Sequence, residues 1–210
     1  MDSNRITEAQ RRLFDSVLSS VTAGVIGLDG QGAVSACNRQ AAVLLPGTGG
    51  LVFPVTTKSP EAQQFFNQGV GQLHGFWYFE SERSFRQAAA IDPDCAMAYW
   101  GMAMSNFDNT ERATGFIEEA KKRRLKVSDR ERLYIDGLAA YYANPKADKK
   151  VRLRGLIRSF EGIIDTHADD IEAKAFLMWT LFAANSNGLN YQSYHATNLL
   201  IGEVLAKKKV

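Results

Sequence analysis

Histidine and cysteine are the side chains best suited to ligate zinc or to act as a base or nucleophile, and few are present. The histidines are His74, His167 and His195, and the cysteines are Cys37 and Cys95. A zinc site needs three or four such ligands at characteristic spacings, and these five are scattered. No GxSxG segment and no glycine-rich phosphate loop occurs either. The sequence therefore predicts no metal, no cofactor and no enzymatic activity.

The two remaining hints of chemistry have simpler explanations. His167 lies beside Asp165, Asp169 and Asp170, an acidic turn that could attract a cation, although helix capping accounts for it more simply. Two thiols are too few for a disulfide framework. We therefore expect binding rather than catalysis.

Charge is distributed unevenly along the 210 residues, although the formal net charge is only +2. Residues 111–160 carry fourteen basic and seven acidic groups. Two interpretations of this basic band are a solvated surface and a contact with an acidic partner or nucleic acid. The band lacks the interleaved aromatic residues typical of single-strand binders, so nucleic acid is not expected.

The beginning of the chain does not resemble an export signal. Its first twenty residues are charged through most of their length and lack a continuous apolar core. The apolar run at residues 21–28 is far shorter than the roughly 20 residues that cross a bilayer. The sequence favours a cytoplasmic protein that does not enter membranes.

The first fifty residues alternate between helical and extended patterns. Residues 7–20 have amphipathic helical spacing, and the short runs GVIGLD and AVSAC flank an Asp29-Gly30 turn. Asn38 is a suitable N-cap for the helical run RQAAVLL, which Pro46 ends. We predict an α-β-β-α fragment over residues 1–46.

This fragment resembles the PAS domain of nitrogen-regulation sensor histidine kinases over residues 8–47. The pattern AGVIGLD…G…N-R-x-A carries the resemblance. A PAS sheet has about five strands, and only the first two are present. The fragment could pack on the rest of the chain, associate with a second chain through its hairpin, or be a fusion remnant. An alternative function follows from the resemblance, a fragment of a PAS-containing signalling sensor.

Residues 47–58 are predicted to be a linker. The stretch PGTGGLVFPVTTKSP is rich in glycine and proline and has no periodic apolar face. Ser59-Pro60-Glu61 then has the features of a helix start, with an N-cap, a proline in the first turn and an acid beside it. We expect helices from residue 59 to residue 210.

Residues 62–95 have the spacing of two antiparallel helices closed by an Asp-Pro-Asp turn. Large residues and small residues recur at the positions where paired helices must interlock and approach: Phe65, Gly69, Ser81, Phe85, Ala88 and Pro93. This pattern resembles the 34-residue tetratricopeptide repeat. Weaker copies follow at residues 96–129, 130–170 and 171–210.

The whole segment 53–210 also resembles a bacterial family of larger tetratricopeptide proteins, through FPVTTKSPEAQQFFNQG and SFRQAAAIDPDCAMAYWGMA. The predicted fold is mainly α, a superhelical solenoid of about four helical hairpins after a short PAS-like fragment. The chain is interpreted as ending inside a repeat array, because its last helix lacks a polar capping face.

The resemblance implies an interaction scaffold that binds proteins or peptides through its concave groove. The positions that line such a groove are mostly apolar here: Phe66, Val70, Leu73, His74, Met97, Trp100, Met104 and Phe107. We therefore predict that the groove binds an apolar or amphipathic segment of a partner. The alternative is that Phe66 and Trp100 are covered by the N-terminal fragment or by a missing repeat.

Overall fold

The computed structural model describes residues 26–28, 34–37, 50–190 and 194–207. The chain divides into two compact units, Met1–Leu51 and Val52–Val210. The second unit is helical throughout its described elements, which confirms the mainly α prediction. The boundary between the units lies inside the predicted linker.

In the first unit, strand β1 (Ile26–Leu28) pairs antiparallel with strand β2 (Val34–Cys37). Ile26 lies opposite Cys37, and the register is irregular between Gly27 and Leu28. The predicted flanking helices of the PAS-like fragment lie outside the described residues. Three residue pairs do not establish a PAS fold, and the PAS resemblance gains no support from the structure. Self-association through this hairpin stays a prediction.

The second unit contains eight described α-helices in four consecutive pairs. They are α1 (Pro60–His74), α2 (Tyr78–Ile91), α3 (Ala96–Ser105), α4 (Thr110–Arg123), α5 (Asp129–Tyr142), α6 (Lys149–Thr166), α7 (Ile171–Ser186) and α8 (Tyr194–Lys207). Each helix packs on the next in the chain, and α3 also packs on α1 and α5. Each predicted repeat therefore contains one helix pair, as a helical solenoid requires.

Helix starts follow the capping residues in the sequence. The Ser59 hydroxyl accepts from the Ala62 N–H at 3.2 Å, with Pro60 in the first turn. Ser128 and Glu131 form a capping box at the start of α5. These bonds satisfy amide groups that the first helical turn leaves without partners, and so they place the helix starts.

Two glycines admit the Phe85 ring, Gly69 on α1 within the first hairpin and Gly101 on α3 of the next pair. A Cβ atom on Gly69 would lie 2.7 Å from that ring, and one on Gly101 would lie 2.5 Å from it. Ser81 reinforces the approach by donating to the Gly69 carbonyl at 2.8 Å. The predicted packing roles of Gly69, Ser81 and Phe85 are confirmed by these contacts.

The second half of the predicted linker is part of the helical unit. Phe53 is fully buried, and residues 52–59 run without helical structure before α1. We call residues 52–59 the strap. The linker prediction is therefore wrong for residues 52–58, because side chains of the helices bind the strap's main chain and enclose its aromatic ring.

Candidate functional site

The concave face that the sequence predicts as an open groove is filled by the chain itself. Seven of the eight predicted side chains pack inside the helical unit: Phe66, Val70, Leu73, Met97, Trp100, Met104 and Phe107. His74 retains 26% of its side-chain exposure. These positions are corrected from a partner-contacting surface to an internal core, and the residues that cover them define the site.

Trp100 lies at the centre of this core. Its ring centroid is 5.4 Å from Tyr134, 5.2 Å from Phe176 and 6.5 Å from Phe53. Its indole N–H donates to the Tyr134 carbonyl at 3.1 Å. Phe53 belongs to the strap and Phe176 to α7, so the strap and the fourth helix pair cover the groove rather than a missing repeat.

His74 connects the first and last helix pairs. Its Nε2 lies 2.6 Å from a carboxylate oxygen of Glu172, and its ring centroid is 4.9 Å from that of Phe176. The sequence predicts that His74 contacts a partner in the groove. Its partner comes from the same chain, 98 residues away.

The strap lies in the groove with its main chain held by side chains of α1. The Phe53 N–H donates to Asn67 Oδ1 at 3.2 Å, and Gln63 Nε2 donates to the Phe53 carbonyl at 2.8 Å. The Val55 N–H donates to Gln63 Oε1 at 2.9 Å. Gln63 thus hydrogen-bonds both an N–H group and a C=O group of the strap. Such contacts depend on the backbone conformation of the strap more than on the identity of its side chains.

Two carboxylates hold the threonines of the strap. Glu131 accepts from the Thr56 N–H at 2.7 Å and from the Thr56 hydroxyl at 2.5 Å. Asp92, in the Asp-Pro-Asp turn, accepts from the Thr57 hydroxyl at 2.5 Å and from the Lys58 N–H at 3.1 Å. Hydrogen bonds to ionised acceptors are the stronger kind, so these bonds define the C-terminal end of the strap.

An aromatic pocket encloses Phe53. Its ring centroid lies 5.4 Å from that of Phe66 and 5.2 Å from that of Tyr134. The Arg130 guanidinium lies 4.3 Å from the Phe53 ring centroid and donates to the Pro54 carbonyl at 3.1 Å. A cation over an aromatic face adds attraction to the apolar burial.

Asp170 fixes Arg130 in that position. The Asp170 carboxylate accepts from Arg130 Nε at 2.6 Å and from the Tyr134 hydroxyl at 2.9 Å. Burial raises the pKa of Tyr134 well above its ordinary value, and so its hydroxyl stays protonated and able to donate. The pocket's charged groups are therefore paired with each other.

The strap also leads to a pH prediction. The Thr57 hydrogen bond, opposed by partial burial and aided by the Lys58 N–H, holds the pKa of Asp92 below its ordinary 3.8. A carboxyl group whose pKa is lower in the folded chain than in the unfolded chain stabilises the fold at pH values above its unfolded-state pKa. This stabilisation is lost as the pH falls through the folded-state pKa. We expect Thr57→Val to raise the Asp92 titration midpoint toward 3.8, measured by carbon NMR of its carboxyl group.

The control for this titration is Thr114→Val. The Thr114 hydroxyl donates within α4 to the Thr110 carbonyl, so this variant should leave the Asp92 midpoint unchanged. Equal midpoints in the native chain and the Thr57→Val chain would contradict the strap contact.

Other candidate groups show less organisation. Burial raises the pKa of the Cys95 thiol to about 11, which disfavours the reactive thiolate.

Much of the basic band is paired with acids of the same chain: Lys121–Glu118, Lys122–Glu119, Arg123–Glu119, Arg124–Asp136 and Lys126–Asp94. These ion pairs support the interpretation of the band as a solvated surface.

Sequence reasoning missed an exposed aromatic turn between α1 and α2. Phe79 is 84% exposed and Trp77 57%, and Phe76 has a left-handed φ of 61°. Beside them is a cleft of about 650 Å³ that Phe79 and Trp179 help to line. The only sequence signal was the cluster of aromatic residues at the end of a predicted helix.

Comparison with known proteins gives no match to a family model, a curated protein or a solved structure. Among the described residues, no group of three or more histidine, cysteine, aspartate or glutamate side chains is arranged to hold a metal ion. None of the described helices is both long and apolar enough to cross a bilayer. The groove and the strap are therefore the features of the chain that bear on its function.

Proposed function

We propose that the chain is a protein-interaction scaffold of the tetratricopeptide type, which binds an extended segment of a partner protein in its concave groove. The proposal concerns binding rather than catalysis. Four consecutive helix pairs and the repeat-like spacing of residues 62–95 support the class. One observation carries the binding function, namely that the chain's own strap, a segment without helix or strand, already lies in the groove.

The strap's environment has the elements that recognition of an extended peptide requires. Extended backbone outside a sheet needs partners for its N–H and C=O groups, and Gln63, Asn67 and Glu131 supply them. A single deep pocket then receives one aromatic side chain, Phe53. The residues that hold the strap come from the first three helix pairs, as expected for a groove that spans a repeat array.

A partner segment would occupy the same groove by replacing the strap. The strap competes as an intramolecular ligand, whose effective concentration for a short tether is in the millimolar range. Weakening the strap's anchor should therefore reveal the binding site. Phe53→Ala is the suitable change because it removes the buried ring and leaves the groove residues intact.

The test uses the full chain with Phe53→Ala and a peptide with the native sequence of residues 51–59. We expect one peptide to bind per chain, at least roughly tenfold more tightly than to the native chain because the cis competitor is weakened. Isothermal titration calorimetry measures both affinities, and circular dichroism checks that the variant is folded. If Phe53→Ala does not fold, Phe53→Leu takes its place.

Phe79→Ala is the matched control, because it removes the same side chain from an exposed position outside the groove. Its affinity should equal that of the native chain. A folded Phe53→Ala chain that does not bind the peptide would overturn the proposed function and leave the strap as a purely structural element.

A further inference from the structure

We propose that the groove selects segments in which an aromatic residue is followed, three and four positions later, by hydroxyl side chains, and that it rejects segments in which these hydroxyls are phosphorylated. This inference rests on the proposed function and specifies the chemistry of its ligand. Phe53, Thr56 and Thr57 supply the spacing. The ligand class is an extended protein segment with unmodified serine or threonine at both positions.

The first hydroxyl position faces a buried acid. Glu131 is 2% exposed, and its Oε2 accepts from the Thr56 hydroxyl, the Ser128 N–H and the Ser128 hydroxyl. An ionised carboxylate accepts hydrogen bonds and cannot donate them. The segment in the groove must therefore supply a donor there, and a methyl group in its place would leave the acid under-solvated.

The second hydroxyl position faces another acid with a similar preference. Asp92 Oδ2 accepts from the Thr57 hydroxyl and the Lys58 N–H, while its Oδ1 accepts from the Asp94 N–H at 3.1 Å. The positive charge of Lys58 also contributes to the lowered pKa of Asp92.

Phosphorylation of the two hydroxyls would replace these attractive contacts with repulsive ones. Each phosphothreonine carries about −1.5 to −2 charge at pH 7 and no longer presents the hydroxyl donor. It would meet Glu131 or Asp92 at hydrogen-bond distance, where like charges repel. Arg130 does not offset this, because its guanidinium is already paired with Asp170 and directed at Phe53 and Pro54.

The experiment compares peptides of residues 51–59 on the full-length Phe53→Ala chain. One peptide is native, one has valine at positions 56 and 57, and one has phosphothreonine at both. We expect the valine peptide to bind roughly ten- to hundredfold more weakly, the usual loss for hydrogen bonds to charged groups. The phosphorylated peptide should bind more weakly still.

A change in the chain separates charge repulsion from general misfit. Asp92→Asn removes one of the two facing charges and retains a hydrogen-bonding side chain. In this background we expect the penalty for phosphothreonine at position 57 alone to shrink at least about tenfold, on the scale of a pair of charges in contact. An unchanged penalty would overturn the electrostatic basis of the selection.

The outcomes distinguish the two proposals. If none of the peptides binds, the proposed function fails. If the native, valine and phosphorylated peptides bind equally, the groove binds peptides but the hydroxyl selection is wrong. If neither Phe53→Ala nor Phe53→Leu folds, hydrogen exchange of the strap amides in the native chain with excess peptide gives the same comparison. Only a peptide that binds in place of the strap accelerates this exchange.

Discussion

Replacing Trp100 with alanine is expected to lower the free energy of unfolding by about 3–5 kcal/mol. The fully buried indole touches aromatic rings from the strap, α5 and α7, and its N–H bonds the Tyr134 carbonyl. The variant loses these contacts and leaves a cavity at the junction of three elements. Urea denaturation followed by circular dichroism measures the change.

Trp77→Ala provides the matched control, because this tryptophan lies on the exposed turn between α1 and α2. Its effect should stay within about 0.5 kcal/mol, as for most surface changes. If Trp100→Ala cost no more than Trp77→Ala, Trp100 would lie in an accessible groove, as the sequence alone predicts, and the closed concave face would be wrong.

Replacing Asp170 with alanine is the second change with a large expected effect, again about 3–5 kcal/mol. The carboxylate side chain is 2% exposed, pairs with Arg130, accepts from the Tyr134 hydroxyl and caps α7 through the Ala173 N–H. Its removal leaves Arg130 largely buried without its anion. The same denaturation experiment measures this loss.

Two comparisons test the cause of the Asp170 effect. Asp165→Ala, an exposed position on α6, should change stability by less than about 0.5 kcal/mol. Adding Arg130→Met to Asp170→Ala should recover part of the loss, because the unpaired buried charge is then absent. No recovery in the double variant would mean that the cap or the Tyr134 contact dominates.

Local features of the fold were predictable because they depend on short spacings. Ser59 caps α1 where the sequence places it, and Phe85 packs against Gly69 as the repeat pattern requires. These interactions lie within one hairpin or one helical turn. Contacts over such short sequence distances can be predicted from the periodicity of the sequence.

The closed groove was not predictable, because burial by the same chain and burial by a partner produce the same apolar positions. Phe66 and Trp100 match a binding face as well as a core. The residues that close the groove lie in other parts of the sequence. Phe53 is in a stretch typical of a linker, and Phe176 is in the fourth helix pair. An aromatic residue between Val52 and Pro54 was the one signal that the linker does more than connect.

The contact between His74 and Glu172 has a consequence for how the chain unfolds. In an open solenoid each repeat contacts only its neighbours, and so the ends can melt independently of the middle. Here α7 returns to α1 across 98 residues of sequence and shares an aromatic core with the strap. Loss of either terminal pair therefore exposes the same interior, and residues 52–186 are expected to unfold in a single all-or-none transition, as compact single domains do.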